Sequence, residues 1–189
     1  MTEFMNQIKI PQDRIAVLIG KDGEVKDEIE KRTKSQLNID SKEGDVNIAG
    51  DEPLTLFTCA EIVKAIGRGF NPEIALLLTK LDYVLEIISI AEYAKTQNDM
   101  VRIRGRVIGK EGKSRKVIED ILEVHIVVYG KTVSVIGRGD SVALARRALE
   151  SLLSGSTHAN VYKWLEKQRK LFKMRELEGK DDFKENIEL

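Results

Sequence analysis

The sequence predicts an α+β protein made of two copies of one small domain, each a three-stranded antiparallel sheet backed by three helices, plus a C-terminal helix. Three observations carry that expectation. Residues 14–23, Arg-Ile-Ala-Val-Leu-Ile-Gly-Lys-Asp-Gly, are echoed at a shift of 89 positions by residues 103–112, Ile-Arg-Gly-Arg-Val-Ile-Gly-Lys-Glu-Gly. The register continues beyond the motif, with Ile29 falling on Ile118 and Ile39 on Val128. In both copies the hydrophobic period reads strand, helix, helix, strand, strand, helix. A length of 189 residues suits two domains, expected at 1–80 and 81–189.

In the first copy Ile8-Lys9-Ile10 alternates as a short strand, closed by Pro11, which has no N–H for a ladder. A helix is expected over 12–19, broken at Gly20. A second runs from Gly23 to about Lys34 with Val25, Ile29 and Thr33 on one face. Leu37 and Ile39 alternate in a strand, Glu43-Gly44-Asp45 turns the chain, and Val46 and Ile48 alternate in the partner strand. The third helix starts near Pro53 and turns Leu56, Cys59, Ala60, Ile62, Val63 and Ile66 inward until Gly67 and Gly69 end it. Residues 71–81 read as a short connecting helix, with Asn71 as its cap and Pro72 in its first turn.

The second copy opens with a strand over 83–90. A short helix at 103–108 precedes the glycine pair, and the helix after it turns Val117, Ile118, Ile121 and Leu122 inward. Strands at 124–128 and 132–136 flank Tyr129-Gly130-Lys131, and a third helix covers 141–153. Ten positions separate Ile10 from Gly20 but nineteen separate Ile90 from Gly109, so the second copy carries extra residues ahead of its short helix. The tail over 158–178 is helical in pattern, with Val161, Trp164, Leu165, Leu171 and Phe172 apolar, and is expected to pack on the second copy. Polar residues from Gly179 onward are expected to fray.

A Gly-x-x-Gly corner between two helices sets unpaired backbone N–H groups and a helix N-terminus against open space, a place that favours anions. Glycine lets a sugar-phosphate backbone approach without meeting a Cβ. Lys21 and Lys110 add a cation to each corner, beside Asp22 and Glu111. The corners Gly20–Gly23 and Gly109–Gly112, each inside the same order of elements, resemble the clamps of KH domains of the eukaryotic type (type I). That resemblance covers nearly the whole chain and implies binding of single-stranded RNA, with about four nucleotides gripped at each clamp.

The stretch from Arg102 to Arg115, followed by Gly130-Lys-Thr-Val-Ser-Val-Ile-Gly137 and Gly155-Ser-Thr-His-Ala-Asn-Val-Tyr-Lys-Trp-Leu-Glu166, narrows the resemblance. It is similar to the archaeal two-KH proteins related to the eukaryotic small-subunit ribosome-assembly factors that accompany the endonuclease trimming the rRNA 3′ end. The resemblance implies single-stranded RNA near the 3′ end of small-subunit rRNA as ligand. It also implies that endonuclease, and the alpha subunit of translation initiation factor 2, as partners. In eukaryotic relatives the first copy has lost its glycine pair, whereas Gly20 and Gly23 are present here.

Charge separates the two copies. Residues 101–118 hold seven basic residues against one acidic, a local balance of +6, whereas 12–29 hold three against five, a balance of −2. Phosphate contacts supply much of nucleic-acid affinity, so the second clamp is expected to dominate. Besides the corner residues, Arg106, Lys113 and Arg115 are the expected phosphate contacts, with Lys163, Lys167 or Arg169 as lesser ones. Val107, Ile108 and Ile126, and in the first copy Ile15, Ile19 and Leu37, are the expected apolar wall for bases.

The rest of the sequence narrows the function by exclusion. Gly112-Lys113-Ser114 resembles the end of a phosphate-binding loop, but the Gly that loop needs five positions earlier is Val107. His125, His158 and the single Cys59 have no metal-ligand spacing, and no nucleophile–base constellation stands out, so neither an enzyme nor a cofactor is expected. A single Cys makes no internal disulfide framework, and no apolar run reaches the roughly 20 residues that span a bilayer, so a cytoplasmic protein is expected. Two other functions fit the same residues: a general tandem-KH regulator of mRNA or single-stranded DNA, and a protein-interaction scaffold. Steep salt dependence would separate strand binding from the scaffold.

Overall fold

The computed structural model describes residues 4–185, and in them the repeated pattern folds twice the same way. The first copy comprises β1 (Phe4–Lys9), α1 (Gln12–Ile19), α2 (Glu24–Thr33), β2 (Gln36–Ile39), β3 (Asp45–Gly50) and α3 (Pro53–Gly67). One helical turn, α4 (Pro72–Ala75), and a 3-10 turn at Leu76–Thr79 lead to the second copy. That copy comprises β4 (Tyr83–Ser89), α5 (Gln97–Ile108), α6 (Lys113–Leu122), β5 (His125–Tyr129), β6 (Thr132–Arg138) and α7 (Gly139–Leu153), followed by α8 (His158–Glu185). Both sheets are antiparallel, with strand orders β1-β3-β2 and β4-β6-β5.

Alternation decides which face of each sheet meets the helices. In the first, Ile8, Leu37, Val46 and Ile48 point inward to Ile15, Leu18 and Ile29, and all six expected core positions of α3 are buried. In the second, Ile88, Ile126, Val133 and Val135 meet Ile103, Val107, Ile118 and Leu122, with α7 behind them. Val161 and Leu165 of α8 are buried in this second core and Trp164 packs against it, so the first half of the tail packs as its pattern expects, while Leu171 is exposed. The helix continues to Glu185, past the point where fraying is expected, while residues 186–189 and the side chain of Phe172 lie outside the described residues.

Two elements differ from their sequence pattern. The helix expected over 71–81 is one turn of α4 and then a tighter 3-10 turn. Three consecutive leucines cannot share one helical stripe, and the change of pitch sets Leu78 beside Ala75 in the first core. Asn71 accepts the Ala75 N–H through its backbone carbonyl at 3.0 Å rather than through its side chain. Ahead of the second clamp, the extra residues form a 3-10 turn at Ile90–Glu92 and lengthen the helix, α5 having twelve residues where α1 has eight. Thr96 caps it, its hydroxyl accepting the Asp99 N–H at 3.1 Å.

The two copies share buried surface. Ile136 faces away from its own core and joins that of the first domain, where Tyr83, Leu85 and Val127 also pack. Residues 133–137 of β6 are therefore buried without a break, one set of alternate side chains against the helices and the other against the first domain. At the hairpin tip the Tyr129 hydroxyl donates to the Asp13 carboxylate, with oxygens 2.6 and 2.9 Å away.

That hydrogen bond, followed by burial and the charge of Asp13, raises the Tyr129 phenol above its ordinary value of 10.0. The folded chain holds this proton longer than the unfolded chain does. The contact therefore stabilises fully below about pH 10 and is lost as the pH climbs through the raised value. Melting temperatures followed from neutral to strongly alkaline pH should fall further for the wild type than for Tyr129→Phe. Superimposable profiles would remove this contact from the interface.

Candidate nucleic-acid interface

Each clamp is a single 3-10 turn between two helices, Lys21–Gly23 and Lys110–Gly112, and the backbone angles nearly coincide. Gly20 and Gly109 both have φ 74° with an extended ψ, while Gly23 and Gly112 sit in the left-handed region at φ 87° and 76°. The glycines have separate reasons to be there. A Cβ on Gly20 would stand 2.8 Å from the Val25 backbone nitrogen, and one on Gly109 would stand 2.7 Å from that of Ser114. The first glycine thus allows the corner to close on the following helix. At Gly23 and Gly112 a Cβ would have nothing within 4 Å of it, so the second glycine keeps the corner open on the outside.

Asp22 and Glu111 also adopt positive φ, 54° and 55°, as the turn demands. Lys21, Lys110 and Lys113 are exposed, the last as the first residue of α6. The first corner is ringed by Asp22, Glu24, Asp27 and Glu28, with Lys21 and Lys31 between them. Behind the second corner Ser114 is 3% exposed, and its hydroxyl has no hydrogen-bond partner within the described residues. The first copy has Val25 at that position.

Several expected contacts are placed elsewhere. Arg106 turns away from the clamp: its Nε donates to the Leu152 carbonyl at 3.2 Å and its Nη2 to that of Ser156. His158 at the start of α8 meets the Arg106 carbonyl at 2.8 Å. Arg14 does the same work in the first copy, donating to the Ile66 and Phe70 carbonyls at 2.8 Å each. These arginines add side-chain donors to carbonyls at and just beyond the end of the third helix, so Arg106, expected as a phosphate contact, is here a tie between α5 and the end of α7.

The apolar wall is corrected as well. Val107 and Ile126 are 0% and 1% exposed, and Leu37 and Ile15 are 3% and 4%, which leaves none of them a surface for a base. They supply the inward stripe that holds α1, α5 and the edge strands in place. Ile19 and Ile108, half-buried immediately before the first glycine of each corner, keep an accessible face.

Arg115 lies on α6 with Nε 3.5 Å from Glu119 Oε2, and its Nη1 reaches the Ile126 carbonyl at 3.4 Å. Glu119 was not among the expected site residues, yet its Oε1 accepts the Ile126 backbone N–H at 2.7 Å. Glu30 accepts the Leu37 N–H at 2.6 Å in the first copy, and Lys26 pairs with it at 3.8 Å. Carrying the 89-residue register past the motif would have aligned both pairs. Gly105 is a further residue the pattern passes over. It is exposed in the middle of α5 with open space around it, where glycine is about 1 kcal/mol less favourable than Ala.

Comparison with known proteins agrees with this geometry. Residues 84–170 match the eukaryotic-type KH domain (KH-domain type I), and residues 6–65 match the KH domain. The KH domain-containing protein of Methanocaldococcus jannaschii is 49% identical over 170 residues, covering 88% of this chain and 74% of that protein. The RNA-binding protein pno1 of Dictyostelium discoideum is 26% identical over 166 residues, covering 85% and 70%. The solved a/eIF2alpha–aDim2p–rRNA complex of Pyrococcus horikoshii contains a chain similar at 44% identity with a TM-score of 0.83, covering 89% of this chain and 95% of that one. The duplicated clamps, the shared fold and these likenesses together place the chain in the tandem type I KH-domain family, as an archaeal counterpart of the pno1 and Dim2p proteins.

Proposed function

We propose that this protein binds single-stranded small-subunit rRNA, near its 3′ end, during ribosome assembly or rRNA processing. The corner at Gly109–Gly112 is the principal grip. One observation carries the choice of site: an open, left-handed glycine at the N-terminus of α6, inside the stretch 101–118 whose local balance is +6. Phosphate oxygens meet backbone N–H groups there, with Lys110 and Lys113 supplying charge and the unpartnered Ser114 hydroxyl behind them. Gly105 lets the strand run close over α5, and Ile108 offers an apolar face to a base. The corner at Gly20–Gly23, with Lys21 and Asp22 in it and Ile19 before it, has the same backbone in acidic surroundings, and so extends or positions the strand with less affinity.

The likeness to a chain solved with rRNA and a/eIF2alpha supports rRNA as ligand and the alpha subunit of initiation factor 2 as partner. The rRNA 3′-end endonuclease is the third partner of this reading, and the protein presents RNA to it without chemistry of its own. Among the described residues no helix is long and apolar enough to cross a membrane, and no acidic, His or Cys group is arranged to hold a metal. A salt titration tests the strand-binding claim. The logarithm of affinity for a 3′-end rRNA fragment should fall linearly with the logarithm of salt, with a slope of about −0.7 per phosphate contacted. A flat dependence would point to the scaffold alternative.

A further inference from the structure

The C-terminal helix carries charge that neither clamp accounts for. Residues 161–175 hold six basic residues against one acid, Glu166, a local balance of +5. Val161 and Leu165 fix one side of α8 in the second core. On the opposite side Lys163, Lys167 and Lys170 are exposed at i, i+4 and i+7, which sets them in one row about 10 Å long. Arg169 falls outside this row and is half-buried. Other helices match a basic residue with an acid one turn away: Lys26–Glu30 on α2, Lys64–Glu61 on α3, Arg102–Asp99 on α5, Arg115–Glu119 on α6 and Arg146–Glu150 on α7. The three lysines of α8 form no ion pair with any described residue, although Glu166 stands one turn from two of them.

This row is tied to the second clamp. Helix α8 starts where His158 meets the carbonyl of Arg106, three residues before Gly109, and it packs against α6, the helix that leaves the corner. Lys163 to Lys170 therefore lie about 8 to 18 Å along α8 from that anchor. Exposed Lys113 and Lys116 on α6 continue the positive charge from Lys110 of the corner. A KH corner grips about four nucleotides, so a longer strand must leave it across the neighbouring surface. We propose that Lys163, Lys167 and Lys170 hold the phosphates of unpaired nucleotides flanking those four. This rests on strand binding at the second clamp. Ammonium groups are point charges, and a convex helix face offers no pocket for a base, so these contacts lengthen the footprint without reading sequence.

A triple variant, Lys163→Gln with Lys167→Gln and Lys170→Gln, tests the track, since the exposed positions leave the core untouched and a melting curve checks the fold. The probes are two single-stranded RNAs with the same clamped sequence, one of about six nucleotides and one lengthened to about fifteen. The variant should bind the short strand within about twofold of the wild type and lose about tenfold or more on the long one. On the long strand the slope of log affinity against log salt should shrink by about 2, at about 0.7 for each of three contacts. A loss no larger on the long strand than on the short one, or no loss on either, would overturn the proposal. A wild type that binds neither strand would instead overturn the clamp on which the proposal rests.

Discussion

Changing Lys110 and Glu111 together to Asp is expected to weaken single-stranded RNA binding by about ten- to a hundredfold at fixed salt, the equivalent of losing one or more charge-assisted contacts. Lys110 is the only cation inside the corner, and Lys-to-Asp reverses its charge where a phosphate must approach. Asp at 111 suits the left-handed backbone there at least as well as Glu, since a short polar side chain tolerates positive φ. The corner therefore keeps its shape while its sign changes. Fluorescence anisotropy with a labelled strand reads the loss, and a melting curve confirms the fold. Lys21→Asp should weaken binding less, because its corner already stands among four carboxylates. An equal or larger loss at Lys21 would reverse the ranking of the two clamps.

The second large effect separates the two glycines of one corner. Gly109→Ala is expected to destabilise the fold by about 3 kcal/mol, since a positive φ with extended ψ is nearly confined to glycine and the new methyl would meet the start of α6. Gly112→Ala should destabilise by only about 1 to 2 kcal/mol, the strain of one left-handed residue, because its Cβ would enter open space. Its main effect should fall on RNA affinity, through the methyl placed where the strand approaches. Denaturant midpoints for the two variants, beside their RNA affinities, measure both halves. Equal stabilities would show that closure against Ser114 does not govern the first glycine.

Local patterns carried most of the fold into the sequence. Pro11 and Gly20 bound α1 at the expected residues, and the repeated register located both corners, because each depends on dihedral preferences within a few positions. What stayed hidden depends on residues far along the chain. Arg106 counts towards local charge, but its partners are carbonyls more than forty residues away, at the end of α7. Val107 and Ile126 are apolar and next to the clamp in sequence, yet the helix and strand turn them into the core. The unbroken burial of 133–137 comes from a neighbouring domain, which no alternation within β6 announces. Glu119 is an ordinary helical acid until β5 folds beside it.

The contact of Ile136 and Tyr129 with the first domain has a consequence for how RNA is held. Two modules on a flexible tether must pay orientational entropy each time the second engages, and their mutual effective concentration falls as the tether lengthens. Here the hairpin of one module is seated on α1 of the other, the helix that leads directly into its corner. The spacing of the two grips is thereby set before any strand arrives. On the proposed reading, in which both corners hold RNA, the pair would act as a ruler, favouring RNAs whose two contact points are separated by one particular length of unpaired chain.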